Sequence, residues 1–292
     1  MRRFLNGLFS PFHDFNIATI VAPAPDTLRL FSGKRAGRVL LRTFGPLGLD
    51  TALQPNLFSN KVGRWNPSGN SATPPAVDGI AAPTILGTAT VRNVAVTNMA
   101  TRARRMGYVS AATAAAFAGN YNAGGQYTIG ATAGLGGFYY VCRFVSSDAA
   151  AVSGARMFVG LRAPAVPTNV EPDTLVNTLG VAALSTSANL QLVSGGSAAQ
   201  AAIDLGVNFP ANGLSTDLYE LALFAPPNTQ EVYWQVTRLN TGHIASGVLN
   251  GVVGVAIPAA ATPLGHMAWR CNNAQLLAVG LDVVSLYIET DN

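Results

Sequence analysis

Three histidines, two cysteines and one close pair of carboxylates are the groups of this 292-residue sequence with the chemistry to catalyse or to hold a metal. His13, His243 and His266 are scattered. None stands in an HExxH motif or beside a Cys/Asp cluster, so no metal site is expected. Glu171 and Asp173 lie together in NVEPDT, a spacing that could serve glycoside cleavage or calcium binding. The intervening Pro172 makes a polar loop the simpler account. No G-x-S-x-G elbow follows a strand. GLGG at 134–137 lacks the following helix and Lys-Ser/Thr of a phosphate cradle and reads as a turn. No catalytic residue, no enzyme activity and no cofactor is therefore expected. Cys142 (YVCRF) and Cys271 (WRCNN) read as reduced, half-buried thiols behaving as small apolar residues. A bridge between them stays open, because spacing does not give the required geometry.

Aromatic side chains offer different chemistry. Tyr139, Tyr140, Tyr219, Tyr233, Trp234, Trp269 and Tyr287 fall on predicted strands. Rings of this kind pack cores, and they also stack on the faces of pyranose sugars while Asn, Asp and Arg take the hydroxyls. Strand alternation sets Tyr233 opposite Trp234, so at most one of the two faces inward. Tyr233 is the candidate ligand-binding ring.

The elements that must position these groups are strands. Asp217–Leu249 reads as a three-stranded meander. Leu218–Phe224 is stopped by Pro226-Pro227-Asn228, Val232–Leu239 alternates, Asn240-Thr241-Gly242 turns, and His243–Leu249 returns. Phe138–Val145, Ala155–Arg162, Leu179–Leu184, Asn189–Val193, Ala201–Leu205, Met267–Cys271 and Ala278–Glu289 are further candidates, and AVGLDVVSLYIE reads as a central strand covered on both sides. In Ala155–Arg162, Met157, Val159 and Leu161 point inward. Helix propensity predicts a helix over Ala111–Ala118, capped by Ser110. Short strands at regular spacing with almost no helix indicate an all-β sandwich or jelly roll.

Composition fits a subunit of an assembly. Hydrophobic residues make up 49% and charged residues 11%, against a usual charged share of about 25%. No apolar run is long enough to span a membrane, and MRRF reads as a leader-free start, so neither insertion nor export is expected. Net charge is +4, unevenly spread: residues 1–110 carry thirteen Lys/Arg against four Asp/Glu, and the remainder five against ten. The basic charges are dispersed and show no nucleic-acid-binding motif, so an acidic protein surface is the expected partner. Residues 1–100 lack a core of their own, apart from a Phe-rich opening that could form a short helix. They are expected to be an extended attachment and oligomerisation region, with 101–292 the sandwich. Docking falls to Arg2, Arg3, Phe4, Phe9, Arg29, Lys34, Arg35, Arg38 and Arg42, in which fixed guanidinium forks suit carboxylates and the phenylalanines add apolar anchoring.

The segments LGGFYYVCRF, ARMFVGLRA, DLYELALFAPPN, VYWQVTRLNTGHIASGVL, MAWRCNN and VGLDVVSLYIETD resemble a lectin-like sandwich found in structural proteins of tailed bacteriophages. DTLRLF through GPLGLDTALQPNLFSNKVGRW resembles the segment that precedes it, so the likeness spans roughly residues 26–292. It implies a concanavalin-like jelly roll in a virion component, oligomeric and of tail-fibre type, that recognises a host-surface glycan. A capsid decoration protein or head fibre is the structural alternative, and a depolymerase the enzymatic one. A homotrimer joined to other virion proteins is the expected assembly. No binding residue carries over from the resemblance.

Overall fold

In a computed structural model, the described residues are 24, 27, 29–44, 50–52, 61–67, 80–131, 136–226 and 230–291. The chain divides into two compact units, Met1–Ser59 and Asn60–Asn292. In the first, β1 (Arg29–Arg35), β2 (Arg38–Phe44) and β3 (Asp50–Ala52) form a three-stranded sheet. Ala36 and Gly37, with φ of 46° and 80°, close the β1–β2 hairpin. Two successive positive φ values give the twist that a two-residue hairpin turn requires.

The second unit begins with β4 (Lys61–Trp65), β5 (Thr84–Leu86), β6 (Thr88–Arg92), β7 (Arg105–Val109) and β8 (Phe117–Tyr121). Then come β9 (Gly136–Ser146), β10 (Arg156–Arg162), β11 (Thr178–Ala183), β12 (Leu190–Gly195) and β13 (Ile203–Asp204). The meander is β14 (Tyr219–Ala225), β15 (Glu231–Arg238) and β16 (His243–Asn250), followed by β17 (Gly265–Cys271) and β18 (Gly280–Asp291). One sheet has the order β13-β12-β11-β10-β17-β8-β5; the other runs β16-β15-β14-β9-β18-β7-β6, with β4 pairing the far half of β18. Every strand pairing between described residues is antiparallel. The chain passes repeatedly from one sheet to the other, which is the jelly-roll pattern expected from sequence. No helix among the described residues is long and apolar enough to cross a membrane.

The core lies between the sheets. Met157, Val159 and Leu161 of β10 point into it, as alternation requires, and share one buried cluster with Phe144, Leu221, Leu223 and Trp234 of the facing sheet. β18 is central, flanked by β9 on one side and by β7 and then β4 on the other. A bulge between Val283 and Ser285 shifts its parity. Leu281 and Val283 face inward before it, and Leu286 and Ile288 after it.

Two expectations change. The sandwich starts well before residue 101: β4, β5 and β6 belong to its sheets, so the compact unit begins at Asn60. Ala111–Ala118 is not a helix. Residues 112–115 are turns and bends, and Phe117 opens β8. Tertiary hydrogen bonds outweigh the alanine propensity. The Asn272 side chain accepts from the Ala116 amide (3.0 Å) and donates to the Thr113 and Leu277 carbonyls, while the Ala115 amide donates to Asn273 O (2.6 Å). Ser110 caps nothing; its hydroxyl accepts from the Val279 amide instead.

Candidate functional site

Few side chains that could do chemistry come together. His13, Arg2, Arg3, Phe4 and Phe9 lie outside the described residues. His243 is exposed, its Nδ1 2.8 Å from Thr241 Oγ1, whereas His266 is buried between the sheets. Asn120 donates through Nδ2 to Tyr108, so its Oδ1 must accept from His266 Nε2–H (3.0 Å), and Nδ1 then accepts from the Tyr140 hydroxyl (2.9 Å). This chain holds the imidazole in one neutral tautomer, and burial pulls its pKa down to about 3. Asn120 and His266 border a cavity of ≈ 10 Å³, roughly the size of one water. Cys142 is in the core, where burial pushes its thiol up to about 12; Cys271 lies on the far side of the other sheet. The two are free and on opposite faces of a layer, so no bridge joins them. Among the described residues no group of three His, Cys, Asp or Glu could hold a metal.

Glu171 and Asp173 do not form a reacting pair. Glu171 accepts from Arg156 Nε (2.8 Å), from the Ser185 amide (3.1 Å) and from the Ser185 hydroxyl. Burial would raise its pKa, but these donors outweigh burial and hold it below the usual carboxylate range. Asp173 sits in the 3-10 turn Pro172–Thr174. The carboxylate is a pin for the β10–β11 connection.

The aromatic residues sort by face. Tyr140, Tyr219 and Trp234 enter the core, and Trp269 enters a second cluster outside the seven-stranded sheet. Tyr139, Tyr233 and Tyr287 share the outer face of the eight-stranded sheet with Phe224, a residue that the sequence reading did not single out. Register aligns them, because Tyr233 of β15 lies opposite Phe224 of β14, and Phe224 opposite Tyr139 of β9. Their centroids step 6.1 Å from Tyr233 to Phe224, 6.2 Å to Tyr139 and 6.5 Å to Tyr287. The first contact is tilted by 31°, and the next two are edge-on at 72° and 68°. These are the arrangements ring quadrupoles favour. Tyr139 is buried, whereas Phe224, Tyr233 and Tyr287 are half-buried.

A carboxylate orients the hydroxyl at each end of this row. Tyr233 donates to Glu231 Oε2 (2.7 Å), and Tyr287 donates to Glu289 Oε2 (3.0 Å). The bond to Glu231 also raises the Tyr233 pKa, since it favours the protonated phenol. Four residues along the paired strands, Arg143 Nε reaches Glu220 Oε2 at 2.7 Å on the same face. The inner neighbours hold the row in place. The Trp234 ring lies over Gly247, where an added Cβ would come within 2.9 Å of it, and Gly242 (φ 77°) closes the β15–β16 hairpin. The result is a rigid strip of ring faces and edges bordered by acceptors. Such a strip can stack on the apolar face of a sugar ring and accept bonds from its hydroxyls.

Five expected docking residues, Arg29, Lys34, Arg35, Arg38 and Arg42, fall on the β1–β2 hairpin, where Arg35 lies directly opposite Arg38. Lys34 is exposed, and Arg35 and Arg38 are half-buried.

No family model and no curated protein matches this chain. Among solved structures it is similar to a protein of unknown function from Shewanella oneidensis MR-1, with TM-score 0.50 and 9% identity over 82% of this chain and 90% of that one. It is also similar to peanut lectin with a nine-residue peptide (TM-score 0.49, 11% identity, 80% and 98% covered). A third likeness is to the CBM2 module of the evolved Dit of Lactobacillus casei BL23 phage J-1 (0.35, 13%, 81% and 93%). The first is a likeness of fold alone, and the weaker two add nothing to it. The fold is an antiparallel two-sheet jelly-roll sandwich.

Proposed function

We propose that this chain is a structural protein of a tailed-bacteriophage virion, of tail-fibre attachment type, that recognises a host-surface glycan through the outer face of its eight-stranded sheet. The observation that carries the reading is the row Tyr233–Phe224–Tyr139–Tyr287 with Glu231 and Glu289 at its ends. A protein needing only to pack would bury such rings; here three of the four stay half-open across adjacent strands. The virion assignment rests on the sequence segments that resemble phage structural proteins. The basic residues of the β1–β2 hairpin would face acidic neighbours on the particle.

The test is binding of the full-length protein to an array of bacterial surface polysaccharides, beside Tyr233→Ala and Phe224→Ala. Retention of a defined glycan by the wild type, reduced about tenfold or more in both variants with unfolding midpoints little changed, is the expected result. A wild type that binds no host glycan, found on the capsid of intact particles, would replace the proposal with a decoration role. Release of reducing ends during binding would make the protein a depolymerase.

A further inference from the structure

Among the described residues β16 ends the eight-stranded sheet, bonded to β15 on one side only, in an unbroken register of eight residues. Alternate residues of an edge strand direct their N–H and C=O groups outward, a template for another strand. Edges are ordinarily blunted by shortness, proline, charge or a bulge. The edges of the other sheet are short, two residues in β13 and three in β5, and the opposite end of this sheet, β6, carries Arg92. β16 has none of these protections: HIASGVLN is long, without proline, Lys, Arg, Asp or Glu, and without a bulge. On its outer face Ile244 is 60% and Val248 39% exposed, two branched apolar side chains of the kind that pair well across strands.

We propose that β16 pairs antiparallel with β16 of a second copy of this chain, joining the two eight-stranded sheets across a twofold axis. Directly opposed residues share a face, so a symmetric pairing must centre on a residue rather than between two. Centring on Ser246 sets Ile244 opposite Val248 of the second copy, and Val248 opposite its Ile244, so each exposed apolar side chain covers another. Ser246 then meets Ser246, and Ala245 meets Gly247. Centring on Gly247 would leave Ile244 against Asn250 and Val248 against Ser246. A strand without charge brings no like charges together when it meets itself. The contact is self-complementary, so it closes at two copies, and a trimer would need another surface. The aromatic rows of the two copies then lie on the same face of one continuous sheet.

Light scattering of the full chain at micromolar concentration should give twice the 30.2 kDa of one copy. Because Cys142 and Cys271 are buried, Ser246→Cys should form a covalent dimer under mild oxidation with little background. The double variant Ile244→Lys with Val248→Lys sets lysine against lysine and should halve the mass with near-ultraviolet dichroism unchanged. Ile244→Lys with Val248→Glu sets lysine against glutamate in the same register and should restore the dimer. A wild type that is monomeric or trimeric overturns the proposal, as does a double-lysine variant that remains dimeric. Should that variant fail to fold, absence of the Ser246→Cys cross-link overturns it equally.

Discussion

Each sheet of the sandwich carries aromatic rings on the surface turned away from the core, and the two surfaces are finished differently. Outside the seven-stranded sheet, Phe158, Trp269, Met267 and Cys271 are all but fully buried, with Phe117 edge-on to Trp269 at 5.4 Å. The β10–β11 connection folds back over this sheet. It lays Leu175 into the cluster and is pinned by Glu171 to Arg156 and Ser185. Outside the eight-stranded sheet, Phe224, Tyr233 and Tyr287 stay half-buried, and Glu231 and Glu289 accept from the hydroxyls of Tyr233 and Tyr287. The lesson is that an aromatic row is raw material for either use. A connection that folds back over it makes it a second core; left half-buried, it keeps ring faces and hydroxyls within reach of solvent.

The largest expected effect breaks the sealed face. Trp269→Ala should cost about 3–5 kcal/mol in denaturant unfolding, as a large ring leaves a packed cluster. The fraction still folded should keep whatever glycan binding the wild type shows on the array. A cost near zero would mean that this face is as open as the other and would dissolve the contrast.

The interior between the faces supplies a pH control. His266 is held neutral, with its pKa lowered to about 3, below the ordinary 6.5. The unfolded chain therefore binds more protons between these values, and stability is full above pH 6.5 and falls as pH drops toward 3. From pH 6.5 to 5 the loss from this group should be about 2 kcal/mol. Unfolding midpoints of wild type and His266→Gln across that range measure it, and parallel slopes for the two proteins would remove His266 as the cause.

The smallest stability effect belongs to the open face. Tyr233→Phe removes only the hydroxyl that Glu231 holds, so stability should stay within about 0.5 kcal/mol of wild type. If thermal unfolding instead shows a loss of several kcal/mol, the row is a structural cluster like the one around Trp269. Tyr287→Phe, at the other end, should behave alike.

Much of this was legible from periodicity. The three strands of the meander, the inward set Met157, Val159 and Leu161, and the opposition of Tyr233 and Trp234 follow from a period of two, since successive side chains leave opposite faces of a strand. Register between strands did not follow from it. Phe224 joined the site because it stands opposite both Tyr233 and Tyr139, a relation among three strands that no single segment contains. Tyr287 reached the same face because the bulge after Val283 shifted the parity of β18, where unbroken alternation from Leu281 would have sent it inward. Ala111–Ala118 misled for a related reason: the partners that hold it out of a helix, Asn272 and Asn273, lie about 160 residues away in sequence and adjacent only after folding. The sequence by itself determined an all-β sandwich, its strand faces and one candidate ring. Only the tertiary structure decided which rings align, which surface is sealed and which is left open, because those depend on contacts between segments whose local preferences carry no record of one another.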